Sequence, residues 1–177
     1  MEPSWIPDEE TVSKANLSWL MDRVGVEDVC ELHRWSVENR DVFWETVVER
    51  LGIIWAQAPT RTSTGDTQHT KWFPDGRLNI VDSVLSGSPD NPAVIHQRQG
   101  KLETVTRGEL LEVVKRVAYG LTRFGEQPRV AIAMPMTLEA VVAYLATVAI
   151  GGAVVSIADS FAPEEIARRL RISDAEV

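Results

Sequence analysis

Residues 129–161 read RVAIAMPMTLEAVVAYLATVAIGGAVVSIADSF, and no other stretch limits the possible folds as tightly. A short β-rich run, an Ala-rich stretch with helical spacing and a β-branched run follow one another, with Gly151 and Gly152 before the last. Two strands of one sheet joined through a helix run parallel, and the crossover is right-handed. The pattern predicts an α/β unit whose strands are buried on both faces. The uncharged run 140–158 has about the length of a membrane span, but the glycine pair divides it and Pro135 and Asp159 bracket it. A buried helix followed by a buried strand accounts for this composition better, so no membrane span is expected.

The flanking sequence extends the alternation. Thr106 and Glu109 stand at capping-box spacing before ELLEVVKRVAYGLTRFG, whose Leu110, Val113, Val114, Val117 and Leu121 form one stripe. Gly125 marks the helix end, and a strand begins over 130–134. A second helix is expected over 138–150 and a further strand over 154–158, and Pro163 suits the first turn of a third helix, PEEIARRLRIS. Before them, 93–96 and 102–106 read as short strands around a turn at Gly100. The final DAEV falls where the chain leaves the third helix for another strand, so the sheet is expected to be incomplete within these residues.

The first part of the chain is helical in pattern. Leu17, Leu20, Met21 and Val24 share a stripe, and a second helical region is broken near 36–40 before Val42, Phe43, Val47 and Leu51 resume the spacing. Trp35 and Trp44 read as packing anchors, and His33 lacks a metal-ligand companion at i+4. The lone Cys30 cannot form an internal disulfide and is expected to be a buried or half-buried thiol in a reducing compartment. The Thr-rich stretch APTRTSTGDTQHTK superficially resembles a phosphate-cradling loop, but no apolar strand precedes it and no helix follows. It reads as a surface connection, and His69 goes with it. The expected division is a helical extension over 1–57, a linker and WFPDG segment over 58–77, and an incomplete parallel-sheet α/β subdomain over 78–177.

Charge excludes some functions. A net charge of -8 and a pI near 4.9 disfavour binding to phosphate backbones, which needs clustered Lys and Arg, so no nucleic-acid partner is expected. The acidic start MEPSWIPDEETV is unlike a signal peptide, and a cytoplasmic location is expected. Neither G-x-G-x-x-G after a strand nor G-x-x-x-x-G-K-[ST] is present, which argues against an independent nucleotide-binding domain.

The wording KWFPDGRLN, PAVIH, VTRGELLEVVKRVAYGL and RVAIAMPMTLEAVVAYLATVAIGGAVVSIADSFAPEEIARRL resembles the N-terminal part of an AMP-forming acyl-CoA synthetase of the acetyl-CoA synthetase type. ANLSWLMDRVGVEDVCELHRWSVENRDVFWETV is similar to the N-terminal extension of that branch, and the MPMT-to-ADSF wording most resembles plant-type acyl-activating enzymes and their bacterial relatives. The resemblance implies a ligase that forms an acyl-adenylate from a carboxylic acid and ATP, with Mg, and passes the acyl group to CoA. The family's Ser/Thr-Gly-Ser/Thr-Thr-Gly-x-Pro-Lys triphosphate loop and its C-terminal lysine do not occur here, so no catalytic or metal-binding residue is carried over. The expectation is an N-terminal fragment, inactive alone, whose partner is the remainder of the same enzyme. The alternative is a non-catalytic module that pairs through its open sheet edge.

By the same resemblance the passage AIGGAVVSIADSF borders the CoA nucleotide. That implies three residues on the CoA side: Phe161 for stacking, Ser160 for a hydrogen bond and Asp159 for positioning. Against this stands the plainer reading of Asp159 and Ser160 as a strand end and helix cap before Pro163. Arg168, Arg169 and Arg171 are suited to a CoA phosphate or to the wet face of a helix, and the second is favoured. His96 is favoured as a strand-end residue over an acid or base.

Overall fold

The computed structural model describes residues 3–177. They divide into two units, one of residues 3–51 and 60–74, the other of 52–59 and 75–177.

The first unit is helical. Its helices are α1 (Glu9–Lys14), α2 (Asn16–Val24), α3 (Val29–Glu38) and α4 (Arg40–Leu51). The Asp8 carboxylate caps α1 by accepting the Thr11 N–H, and Asp28 caps α3 by accepting that of Glu31. Gly25, at φ 75, closes α2 in the left-handed conformation that glycine adopts without steric cost. The break expected near 36–40 narrows to Asn39. Leu20 and Leu32 are buried at the centre of this unit.

One expectation fails here. Cys30 is exposed, because it stands at the second position of α3 while Leu32 turns inward. The Thr-rich stretch is largely exposed, and its β1 (Ser63–Thr64) pairs antiparallel with β2 (Lys71–Trp72). The Asp66 carboxylate organises the turn between them, accepting the N–H groups of Gln68 and His69 and lying 3.1 Å from His69 Nδ1. Those bonds, the His69 backbone donor first, hold Asp66 below the usual aspartate range. Thr62 and Ser63 donate to Glu45 and Asp41 of α4, and Trp72 meets Trp44 edge-on at 5.7 Å. Local composition reads as a loop; its cross-links to α4 make it a ladder.

The second unit contains α5 (Ile80–Val84), a hairpin of β3 (Pro92–Arg98) and β4 (Lys101–Thr106), α6 (Arg107–Leu121), β5 (Arg129–Ile132), α7 (Leu138–Ala149), β6 (Ala153–Ser156) and α8 (Pro163–Ser173). The β3–β4 pair is antiparallel, and β5 and β6 are parallel with Val130 opposite Val154. The α/β alternation from β3 to α8 is therefore as expected, with each of those elements within a few residues of its sequence-read bounds, whereas α5 had no sequence expectation. The core joins α6 and α7: Leu110, Val114, Ala118 and Leu121 meet Val130, Val142 and Ala146. Ala118 belongs to this core although the sequence stripe passed over it, and Val113 and Val117 pack at its margin. The last residues run beside β5, where Val177 accepts the Ala131 N–H at 2.8 Å and Glu176 donates its N–H to Arg129.

The capping box is formed as the spacing predicts. Thr106 Oγ1 accepts the Glu109 N–H, and the Glu109 carboxylate accepts the Thr106 N–H at 2.8 Å. That backbone bond, with the Thr106 side chain second, holds the Glu109 carboxyl below its ordinary value. A depressed folded-state pKa contributes stability that is present above the unfolded value and is lost as pH falls through the folded one. Glu109→Gln keeps an acceptor but does not titrate. Its melting temperature should therefore drop less than the parent's between pH 7 and pH 3; equal drops would show that the box contributes nothing to acid sensitivity.

Candidate functional site

In open α/β sheets, ligands bind outside the carboxyl ends of the strands. A cavity of about 540 Å³ lies there, lined by Ile132 at the end of β5, by Met134, Pro135 and Met136, by Tyr144 of α7, and by Ser156 and Asp159 after β6. The Ile157 N–H donates to Ile132 O at 2.9 Å, so the two strand ends stay in register to the mouth of the cavity. Thr137 Oγ1 caps α7 by accepting the Ala140 N–H. Glu139 in the first turn is held below the usual glutamate range, first by its own backbone N–H, then by the Thr137 hydroxyl, and more weakly by Arg98 and His96. The mostly apolar lining suits a hydrophobic group better than a phosphate.

Of the three sequence-read residues, Asp159 lines this cavity, and Ser160 and Phe161 follow in the turn closed by the Phe161 N–H bond to Ala158 O. Neither Asp159 nor Ser160 caps α8, whose N-cap is Ala162 with no side-chain bond. The cap reading of these two residues therefore fails, because Pro163 at the first position starts the helix with its own fixed φ. One face of the Phe161 ring is covered by the Arg169 guanidinium at 4.1 Å, and Arg169 donates to Glu165 at 2.7 Å. Arg168 lies 3.8 Å from the same carboxylate. His96 pairs across the hairpin with Glu103 at 3.7 Å. No cluster of metal-ligating side chains occurs among the described residues, and no described helix is long and apolar enough to cross a membrane.

Sequence reading missed two polar clamps in this unit. Arg129 of β5 pairs with Asp174 at 2.9 Å and with Glu176 at 3.3 Å, holding the end of α8 and the final residues against the sheet. Asn79 joins two helices: its Oδ1 accepts the Val81 N–H at the start of α5, while its Nδ2 donates to Val148 O and Ala149 O at the end of α7.

Comparison with known proteins decides the ancestry of this arrangement. Residues 81–177, more than half of the chain, match the family model described as AMP-binding enzyme, and 30–84 match the acetyl-coenzyme A synthetase N-terminus. The chain belongs to the AMP-binding enzyme family. Among curated members, the probable acyl-activating enzyme 17, peroxisomal, of Arabidopsis thaliana is 33% identical over 98% of this chain and 28% of its own length. The hexanoyl-CoA synthase of Cannabis sativa is likewise 33% identical, over 98% of this chain and 28% of its own. Among solved structures, the acetoacetyl-CoA synthetase from Streptomyces lividans superimposes with a TM-score of 0.87 at 30% identity, over 99% of this chain and 29% of that one. The chain thus spans less than a third of the length of these family members. It shares with them a helical N-terminal region followed by part of a sheet subdomain, consistent with the adenylate-forming fold.

Proposed function

We propose that these residues are the amino-terminal portion of an AMP-forming acyl-CoA ligase and supply scaffold to it rather than its adenylating chemistry. In that reaction a carboxylate oxygen attacks the α-phosphorus of ATP, pyrophosphate leaves, and the CoA thiol then displaces AMP from the acyl group. Such a step needs cations and amides fixed around the developing phosphate charge. The observation that carries the reading is a match over 98% of this chain to 28% of a probable acyl-activating enzyme, in a segment without a triphosphate loop.

The sheet is proposed to be incomplete within these residues, with β5 and β6 extended by strands from the rest of the ligase. Asp159, Ser160 and Phe161 are proposed to border CoA: they follow the end of β6, and the capping role that would otherwise occupy the first two is absent. ATP and Mg belong to the remainder of the enzyme in this reading.

The 177-residue protein, supplied with a panel of carboxylic acids, ATP, Mg and CoA, should release no pyrophosphate above background. Adding the separately produced remainder of a family ligase should restore release, and Phe161→Ala should raise the KM for CoA several-fold in that mixture. Acid-dependent pyrophosphate release by this protein alone would refute the scaffold reading. One observation favours a second reading, a non-catalytic module that pairs through its sheet edge: β6 bonds to β5 alone in its sheet. Association with the remainder without restored activity would favour that module.

A further inference from the structure

The helical unit holds an apolar groove and, in the same chain, an apolar segment without a seat. The groove lies among α2, α3 and α4 and encloses about 450 Å³. Leu20, Leu32, Phe43 and Val47 form its floor. Leu17, Val29 and Leu51 on its rim are 47%, 55% and 60% exposed.

The segment is the irregular stretch ahead of α1. Its Trp5 and Ile6 are 69% and 71% exposed, neither lines the groove of its own chain, and α1 itself buries no residue. Pro3 and Pro7 bracket the pair, fixing φ at two positions and removing two backbone donors, so the segment loses little freedom and strands few polar groups when it docks. Charge and polarity fit it to the groove. Among the described residues the groove lining has no carboxylate, in a chain of net charge -8, whereas the segment leads into Asp8, Glu9 and Glu10 and no Lys or Arg precedes Lys14. An acidic arm therefore meets no like charge there. The Ser36 hydroxyl in the groove wall donates to His33 O at 2.8 Å and keeps acceptor capacity for an indole N–H, which an aliphatic occupant would not use.

We propose that two copies of this chain exchange these segments, Trp5 and Ile6 of each copy entering the α2–α4 groove of the other about a two-fold axis. Reciprocal exchange covers two arms and two grooves, on the order of 1,200 Å² in total, which reaches the lower bound of a specific, stable interface. The apolar area removed from water supplies the drive, and the aromatic anchor seated in a pocket supplies the specificity.

Two measurements on the unaltered 177-residue protein test this. Sedimentation velocity should show a monomer–dimer equilibrium with a Kd on the order of 10–100 µM. In a mixture of isotope-labelled and unlabelled chains, filtered nuclear Overhauser spectra should connect the Trp5 ring of one copy to the Leu17, Val29 and Leu51 methyls of the other. Trp5→Ala should weaken the dimer at least about tenfold, and Val29→Glu, which sets a carboxylate in the groove, should do the same. Both positions are exposed within one chain, so neither variant should melt below the parent when dilute. A protein that stays monomeric at several times the expected Kd would overturn the proposal without reliance on any variant. So would a dimer lacking those interchain contacts, which would place its interface elsewhere, and so would the same contacts arising within one chain, which would assign the groove to its own arm.

Discussion

Gly152→Ala is expected to destabilise the sheet-containing unit by about 3 kcal/mol, at the upper end of ordinary overpacking. A Cβ built on Gly152 would lie 2.6 Å from the carbonyl oxygen of Pro128, and 3.0 and 3.1 Å from Cγ2 and O of Thr147. Two of these three atoms are backbone, and Pro128 and Thr147 are among the most deeply buried residues of the chain. The Pro128 carbonyl also accepts the Ala153 N–H at 3.0 Å, the bond that brings β6 alongside β5. Relief of the clash therefore opens the parallel pair at its first rung. Urea unfolding monitored by far-ultraviolet circular dichroism reads the loss. Thr147→Ser in the same chain removes Cγ2 but neither backbone oxygen, so it should restore less than half of it. A Gly152→Ala protein within 1 kcal/mol of the parent would show that the helix and sheet separate at little cost, contrary to the packing argument. Gly151→Ala is the milder comparison: it meets only the Gln127 side chain and costs about 1–2 kcal/mol through its φ of 75.

The second large effect is expected at Asn79. Its amide faces one N–H and two carbonyls, which fixes the orientation of its oxygen and nitrogen. Asn79→Ala loses the α5 cap, about 1 kcal/mol, and two part-buried hydrogen bonds of about 1 kcal/mol each, less what water recovers. A net loss of about 2 kcal/mol should lower the melting temperature by about 10 °C. Asn79→Asp separates the two roles. It retains the cap acceptor but sets a carboxylate against the C-terminal carbonyls of α7, where the helix dipole is also negative. The aspartate protein should melt no higher than the alanine one at pH 7 and should recover part of the difference near pH 3, where the carboxyl is protonated. An aspartate variant as stable as the parent at pH 7 would mean that the bonds to Val148 and Ala149 contribute little.

The candidate site was only partly legible. The resemblance of AIGGAVVSIADSF to the family's CoA-bordering passage points to Asp159, which lies shortly beyond the end of β6 and lines the cavity. Tyr144 and Met136 line the same cavity, yet Tyr144 sits within the uncharged α7 run and Met136 in a loop with no periodicity. Their roles depend on where the loop after β5 folds back, which no local pattern encodes. The Arg169 contact with Phe161 was similarly invisible: both residues were singled out, but only the turn after Ala158 brings them together.

Local patterns were sufficient for most of the order of elements. Period-3.6 stripes, the Thr106–Glu109 box, Gly125, the Gly151–Gly152 pair and Pro163 each act within a few residues, so the succession from β3 to α8 and the α/β class could be read from the chain, while β1, β2 and α5 could not. Nor could contacts between distant residues. The Thr-rich stretch becomes a ladder because Glu45 and Asp41 accept its hydroxyls, Asn79 reaches carbonyls 69 and 70 residues onward, and Arg129 grips carboxylates 45 and 47 residues away. In each case the partner is an acceptor of a kind found throughout the chain, and only the packing of α6 and α7 against the sheet, or of α4 against β1, brings the right one within hydrogen-bonding distance.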